Sequence, residues 1–264
     1  MSFGILALVM VALAYHATRR SPQLRAWSRR RFAVFHRVNA QLLALFAVLG
    51  ASTCLFAGIT HDVVDHNGIA RSDPRLQADV LSYRTSALTL LAKSVTFLGT
   101  DVVLYVLLAL LGVLVWRRTQ RWQPLVLALA WLGAGQLVRL AINQAVSRPR
   151  PPQYLQLVAA RGYAFPSGHT ATATIGYGLL VGLAVILAPR SRRWATTAAL
   201  MLALAVGVSR VYLGVHWPTD VLGGWSLGVA WLALAETAVL SVRLITKRRE
   251  RRAPQPPDLP ASAR

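Results

Sequence analysis

Ser209-Arg210-Val211-Tyr212-Leu213-Gly214-Val215-His216-Trp217-Pro218-Thr219-Asp220 sets a cation, an imidazole and a carboxylate between two apolar segments. Pro218 is pre-organised for the first position of a helix, so Asp220 is expected in the opening turn of that helix. There its carboxylate can accept a hydrogen bond from one ring nitrogen of His216 and fix the tautomer, leaving the other nitrogen free to attack. Arg210 would hold an anion nearby. Taken alone, the same pattern describes an interfacial histidine followed by an acid that complements a helix dipole. The surrounding sequence decides between the two.

Outward from this stretch the chain is apolar. It has 264 residues, of which 55% are hydrophobic and 14% charged, the profile of a polytopic membrane protein. Apolar runs that span a bilayer, or nearly so, fall at 39–60, 101–117, 123–142, 170–188, 195–213 and 221–242. The expected fold is all-α, a bundle of about six core transmembrane helices. Ser2–Ala17 is a shorter apolar stretch, read as an extra N-terminal helix that is retained, since it lacks a basic leader and a small-residue cleavage site. Residues 1–38 are thus expected to form that helix and a basic cytoplasmic segment, 39–245 the transmembrane domain, and 246–264 a disordered tail rich in charge and proline.

A net charge of +20 raises the question of nucleic acid, but the cations cluster at Arg19–Arg37, Arg117–Arg121, Arg190–Arg193 and Arg243–Arg252. Threading the spans puts all four clusters on one side, which the positive-inside rule makes the cytoplasm. Topology and attraction to anionic headgroups account for them, and nucleic acid is not expected as a partner. The segments 61–100, 144–168 and 214–219 then face outward. Cys54 lies in a span without a partner, so neither a disulfide framework nor a cysteine metal site is expected.

Two further polar clusters share the outward face. Arg139 and Asn143 precede Arg148-Pro149-Arg150-Pro151-Pro152, whose prolines favour a stiff, extended segment. Guanidinium groups held on it lose little freedom on clamping a phosphate. Phe165-Pro166-Ser167-Gly168-His169-Thr170 leads into an apolar helix, with Ser167 suited to cap it and Gly168 allowing close backbone approach. The free amides of such a helix start bind anions, and His169 would stand beside the anion as a proton donor. Each cluster has a bland reading, a basic loop or a helix cap. Three on one face, each supplying part of one phosphate site, outweigh those readings. Asp101 reads as a helix-start residue, and His61 and His66 beside Asp62 and Asp65 as a polar loop.

The chain resembles the type 2 phosphatidic acid phosphatase family over roughly residues 80–242. That family carries Lys-x6-Arg-Pro, Pro-Ser-Gly-His and Ser-Arg-x5-His-x3-Asp signatures in this order. The second is matched at Pro166–His169 and the third at Ser209–Asp220. The first is imperfect: with Arg150-Pro151 as its Arg-Pro, Asn143 stands where the family has Lys, and with Arg148-Pro149 the position falls on Ala141. Asn143 keeps a donor but brings no charge. Arg148 or Arg139 are the candidates to compensate, Arg139 the poorer one because helical side chains lean toward the N-terminus, here toward the cytoplasm.

The resemblance implies that His216 attacks phosphorus and becomes a phosphohistidine, that Asp220 orients it, and that His169 protonates the leaving oxygen and then activates water. It implies phosphate contacts from Arg150, Ser167, Gly168 and Arg210, with Arg148 and Asn143 beside them, and neither metal nor cofactor. The expected substrate is a lipid phosphate or pyrophosphate, undecaprenyl pyrophosphate first, then phosphatidic acid or phosphatidylglycerophosphate. The expected location is a bacterial cytoplasmic membrane, with the site facing away from the cytoplasm. Two rival readings remain: a weakened lipid-phosphate-binding protein, motivated by Asn143, and an anion transporter, which would place charges along spans that are nearly free of them.

Overall fold

A computed structural model describes residues 22–252, and every described element is helical. The chain divides into two units, Met1–Phe46 and Ala47–Arg264. The helices are α1 (Pro22–Val64), α2 (Asp73–Ser82), α3 (Ser86–Leu98), α4 (Asp101–Thr119), α5 (Gln123–Val146), α6 (Gly168–Leu187), α7 (Arg192–Tyr212) and α8 (Pro218–Arg252), with short 3-10 turns at Gly68–Ser72, Gln153–Leu155 and Pro189–Ser191. Six stretches are long and apolar enough to cross a membrane: Ala40–Val64, Asp101–Thr119, Gln123–Val146, Gly168–Leu187, Pro189–Tyr212 and Pro218–Thr246. They coincide with the six runs read from hydropathy. Ser2–Ala17 and the tail beyond Arg252 lie outside the described residues. Two boundaries differ from expectation. The basic stretch after Pro22 belongs to the continuous helix α1, and α8 runs on through Arg252, so 246–252 are helical, as suits the helix-forming Lys, Arg and Glu there.

Between α1 and α4 the sequence reading placed only a segment, and the structure builds α2 and α3 there. α3 is apolar but too short to span. Thr85 caps it by accepting the Leu88 amide. Its mixed face leaves Leu90, Leu91 and Phe97 exposed, and a short run of this kind carries too little periodicity to be told from a loop.

α6 is the central helix of the second unit. Of its apolar window 44% is buried, against 11% for the spans of α1 and α8. Lipid is as apolar as leucine, so such helices associate through close packing of small residues and interhelical hydrogen bonds rather than through hydrophobic burial. α6 meets α8 along such a seam: Gly224 and Gly228 face Thr170 and Thr174, and Gly178 faces Leu232. On the other side of α6, Leu104, Leu108, Leu132, Ile175 and Val206 form one buried cluster. Deeper in the bundle Trp131 and Trp231 exchange hydrogen bonds, each indole N–H donating to the other's carbonyl at 3.3 and 3.0 Å. A β-carbon on Gly224 would sit 2.9 Å from Thr170 Cβ and 3.0 Å from the Ser167 carbonyl oxygen. Gly224→Ala is therefore expected to cost about 1–3 kcal/mol of stability through overpacking, read as a lowered melting temperature in detergent.

The helix order alternates direction, so α5 and α7 end, and α6 and α8 begin, at one end of the bundle. The Arg117–Arg121, Arg190–Arg193 and Arg243–Arg252 clusters leave at the opposite end.

Candidate active site

α7 ends at Tyr212 and the chain reverses within a few residues. Gly214 has φ +74°, and a β-carbon there would lie 2.2 Å from the Leu155 carbonyl oxygen, so both backbone and space require glycine. The Arg84 guanidinium ties the turn by donating to the carbonyls of Tyr212 and Leu155, each at 2.8 Å from Nη2. The turn delivers His216 to the start of α8, where Pro218 takes the first helical position.

Asp220 sits in that opening turn, fully buried. Its Oδ2 accepts the Trp217 amide at 2.8 Å and faces His216 Nδ1 at 3.4 Å. Its backbone carbonyl accepts the Ser167 amide at 3.0 Å, which joins the Pro-Ser-Gly-His segment to the pair. His216 Nε2 lies 3.0 Å from Arg150 Nη1. A guanidinium can only donate, so Nε2 is the acceptor, and the ring proton resides on Nδ1, toward Asp220. Burial, together with the charges of Arg150 and Arg210, holds the imidazole well below its ordinary pKa, so it is neutral at pH 7. A neutral imidazole with its lone pair on Nε2 is the nucleophilic form.

The two arginines of the Arg-Pro-Arg-Pro run reach opposite ends of this dyad. Residues two apart on an extended segment share a face, which is how both can do so. Arg150 stands at His216 Nε2 and is anchored on the carbonyls of Gly162, Val215 and Arg161 at 3.0, 2.7 and 3.0 Å. Arg148 stands at Asp220: Nη1 donates to Asp220 Oδ1 and Nη2 to Asp73 Oδ2, both at 2.6 Å. Thr219 closes the network, its amide donating to Asp73 Oδ1 at 2.9 Å and its hydroxyl to Asp73 Oδ2. Arg148 was expected beside the phosphate. Two buried carboxylates claim it instead, because burying either without a cation would be prohibitive. Its bond to Asp220 Oδ1 holds that carboxylate at His216.

Asn143 likewise differs from expectation. Its side-chain amide donates to the carbonyls of Tyr163 and Phe165, at 3.2 and 2.9 Å, and so fastens the loop before α6 onto α5. Buried carbonyls demand such donors, and a neutral amide suits them. Ser167 occupies the N-cap position of α6 but makes no side-chain cap bond. Its Oγ accepts the Thr170 hydroxyl at 2.9 Å, while Gly168 and His169 begin the helix.

A cavity of about 530 Å³ opens on this ensemble, lined by Gly168, His169, Arg210, His216, Arg150, Arg161, Tyr163, Asn143, Arg139 and Asp101 among others. His169 and His216 thus share one chamber. Arg210 is 5% exposed, donates from Nη1 to Thr96 at 2.9 Å, and leaves a buried Nε without a partner among the described residues. Tyr163 lines the cavity, whereas Tyr154 is 85% exposed and stands away from it. An adjoining hollow of about 700 Å³ shares Arg150 and residues 159–162.

The direction of Arg139 reverses the sequence expectation. Its guanidinium lies at the start of α6: a β-carbon on Gly168 would be 3.4 Å from both Cζ and Nη1. The backward lean of helical side chains holds. What differs is that α5 continues about 10 Å past Arg139, at 1.5 Å per residue, so the lean brings the side chain level with Gly168. Asp101, read as a helix-start acid, also does more. It accepts from Gln136 at 2.5 Å and from Thr172 at 2.8 Å, tying α4, α5 and α6 together.

Comparison with known proteins places this arrangement. The family described as "PAP2 superfamily" matches residues 124–243. Phosphatidylglycerophosphatase B of Bacillus subtilis is 30% identical over 181 residues, covering 67% of this chain and 88% of that protein. An undecaprenyl-diphosphatase of Sulfolobus acidocaldarius is 36% identical over 96 residues, 36% of this chain and 43% of that protein. The crystal structure of a transmembrane PAP2 type phosphatidylglycerolphosphate phosphatase from Bacillus subtilis superposes with a TM-score of 0.66 at 28% identity, covering 76% of this chain and 97% of the other.

Proposed function

This chain belongs to the PAP2 superfamily of membrane phosphatases, and from that premise we propose that it hydrolyses a lipid diphosphate, with undecaprenyl diphosphate the foremost substrate, through a phosphohistidine on His216. The observation that carries this reading is the placing of His216, with Nδ1 3.4 Å from Asp220 Oδ2 and Nε2 3.0 Å from Arg150 Nη1, in a chamber that also holds His169 and Arg210.

As the Arg150 guanidinium turns from His216 Nε2 to the phosphoryl oxygens, the freed Nε2 lone pair attacks phosphorus and the bond from phosphorus to the leaving oxygen breaks. His169 gives that oxygen its proton. Asp220 accepts the Nδ1 proton's hydrogen bond and balances the positive charge that forms on the ring. Water then attacks the phosphohistidine and passes a proton to His169, while His216 is restored and inorganic phosphate leaves. Arg150, Arg210 and the Gly168 amide stabilise the equatorial oxygens, where most of the catalysis of phosphoryl transfer arises. No metal enters these steps.

Four arginines against one carboxylate line the cavity, more cation than a single phosphate needs, and this supports a diphosphate. Phosphatidylglycerophosphate is the second reading, supported by the name of the Bacillus subtilis relative. The basic loops leave the bundle at the end away from His216, which by the positive-inside rule supports a site facing out of a bacterial cytoplasmic membrane. The lipid tail stays in the bilayer while the headgroup enters. Phosphate release by purified protein from undecaprenyl diphosphate, phosphatidylglycerophosphate and phosphatidic acid tests the reading. We expect kcat/KM to be about tenfold or more higher for the diphosphate, the worth of one extra charged hydrogen bond, and to be insensitive to chelators. Equal or reversed preference would hand the assignment to the monoesters.

A further inference from the structure

We propose that Arg139, outside all three signatures, is a phosphate-binding residue of this enzyme and supplies the cation that Asn143 does not. The proposal rests on the phosphatase reading above and extends its binding site by one residue.

Asn143 is unavailable to an anion because its amide holds the carbonyls of Tyr163 and Phe165. Arg139 lies four residues earlier, on the same face of α5. Its guanidinium is in the chamber with His169, Arg210 and His216. It rests against Gly168, which has no side chain to displace it.

Its orientation is built. Arg139 Nε donates to Gln136 Oε1 at 2.8 Å, and Gln136 Nε2 donates onward to Asp101 Oδ1. Thr172 donates to the same Asp101 oxygen at 2.8 Å. With Nε engaged, the Nη1 and Nη2 edge is left over, and among the described residues it has no protein acceptor. That edge is the fork that takes two oxygens of one phosphoryl group.

The electrostatics also call for an anion. A guanidinium against the N-terminus of α6 stands at the positive end of a helix dipole. Arg210, its neighbour in the chamber, adds a buried Nε with no partner among the described residues. The single lining carboxylate, Asp101, turns toward Gln136 and Thr172. An anion between Arg139, Arg210 and the free amides of α6 satisfies all of these at once. A guanidinium serving only to balance Asp101 would have no reason to present its fork to the chamber.

The test is competitive inhibition by orthovanadate, a phosphate mimic, on purified wild type, Arg139→Gln and Arg139→Lys, with melting temperatures measured alongside. Losing one charged contact is expected to weaken the inhibition constant of Arg139→Gln about ten- to hundredfold, with a melting temperature near that of wild type. The double variant Arg139→Gln/Asn143→Lys should recover part of the loss. If Arg139→Gln does not fold, Arg139→Lys, which keeps the charge and loses the fork, carries the test with an expected weakening of about tenfold. An unchanged inhibition constant in the folded variant overturns the proposal, whatever happens to its melting temperature. If wild type itself neither released phosphate from lipid nor responded to vanadate, the phosphatase reading would fall first, so the two failures are separable.

Discussion

His216→Ala is expected to lower phosphate release from a lipid phosphate by about 10⁴-fold or more, because the attacking atom is gone and His169, the other imidazole of the chamber, serves the leaving oxygen instead. The size of the effect follows from the geometry. Nε2 accepts from Arg150 at 3.0 Å and Nδ1 faces Asp220, so tautomer and direction are both set. The ring is 2% exposed and held neutral by burial and by Arg150 and Arg210. His216→Gln should be equally inactive, since an amide can fill the space without acting as a nucleophile. The fold should survive in both, because the turn at Gly214 and the Arg84 bonds that shape it do not involve the imidazole. Release of phosphate from the purified variants, with melting temperature as control, checks this.

The largest stability effect is expected at Arg148. Its guanidinium sits between Asp73 and Asp220, which are 1% and 0% exposed. Arg148→Met would leave two carboxylates buried near one another without a cation, and breaking such a buried group is expected to cost about 3–5 kcal/mol. Thermal or denaturant unfolding in detergent measures it. The companion variant separates charge from packing. In Arg148→Met/Asp73→Asn one of the stranded charges is removed, so the double variant should be more stable than Arg148→Met alone, a non-additivity expected of residues in one network. Activity should fall in both, because Asp220 loses the partner that fixes it against His216.

The uneven legibility of this chain has a physical pattern. Hydropathy located the six spans because a membrane demands long apolar runs, and that demand is written locally. The dyad of His216 and Asp220 was readable for the same reason: four residues and a helix-starting proline are enough to bring the groups together. The second histidine, His169, was visible through the helix start that carries it.

What escaped the sequence depends on pairs far apart in the chain. Asp73 carries no local signal in the sequence, and only the fold brings it to Arg148 and Thr219. Asp101 had a sufficient local explanation as the first residue of α4, which hid its bonds to Gln136 and Thr172. An alternating Arg-Pro run gives Arg148 and Arg150 the same local character, and only the alignment of the first signature favoured Arg150 as the phosphate contact. Their roles separate only where one meets carboxylates and the other an imidazole. Arg139 was judged by the lean of its side chain, and that rule was sound, but the relative depth of α5 and α6 is a tertiary fact. Asn143 marked a missing cation without indicating where its replacement lay.

Catalysis at this site turns on a covalent phosphoryl group on His216. Rapid mixing with a lipid diphosphate, an alkaline denaturing quench and peptide mapping by mass spectrometry measure it directly, because phosphohistidine survives base and is lost in acid. The expected result is an acid-labile phosphoryl group on the peptide that contains His216, absent from His216→Ala. Turnover at the wild-type rate by His216→Ala, or a phosphoryl group carried on any other residue, would contradict it.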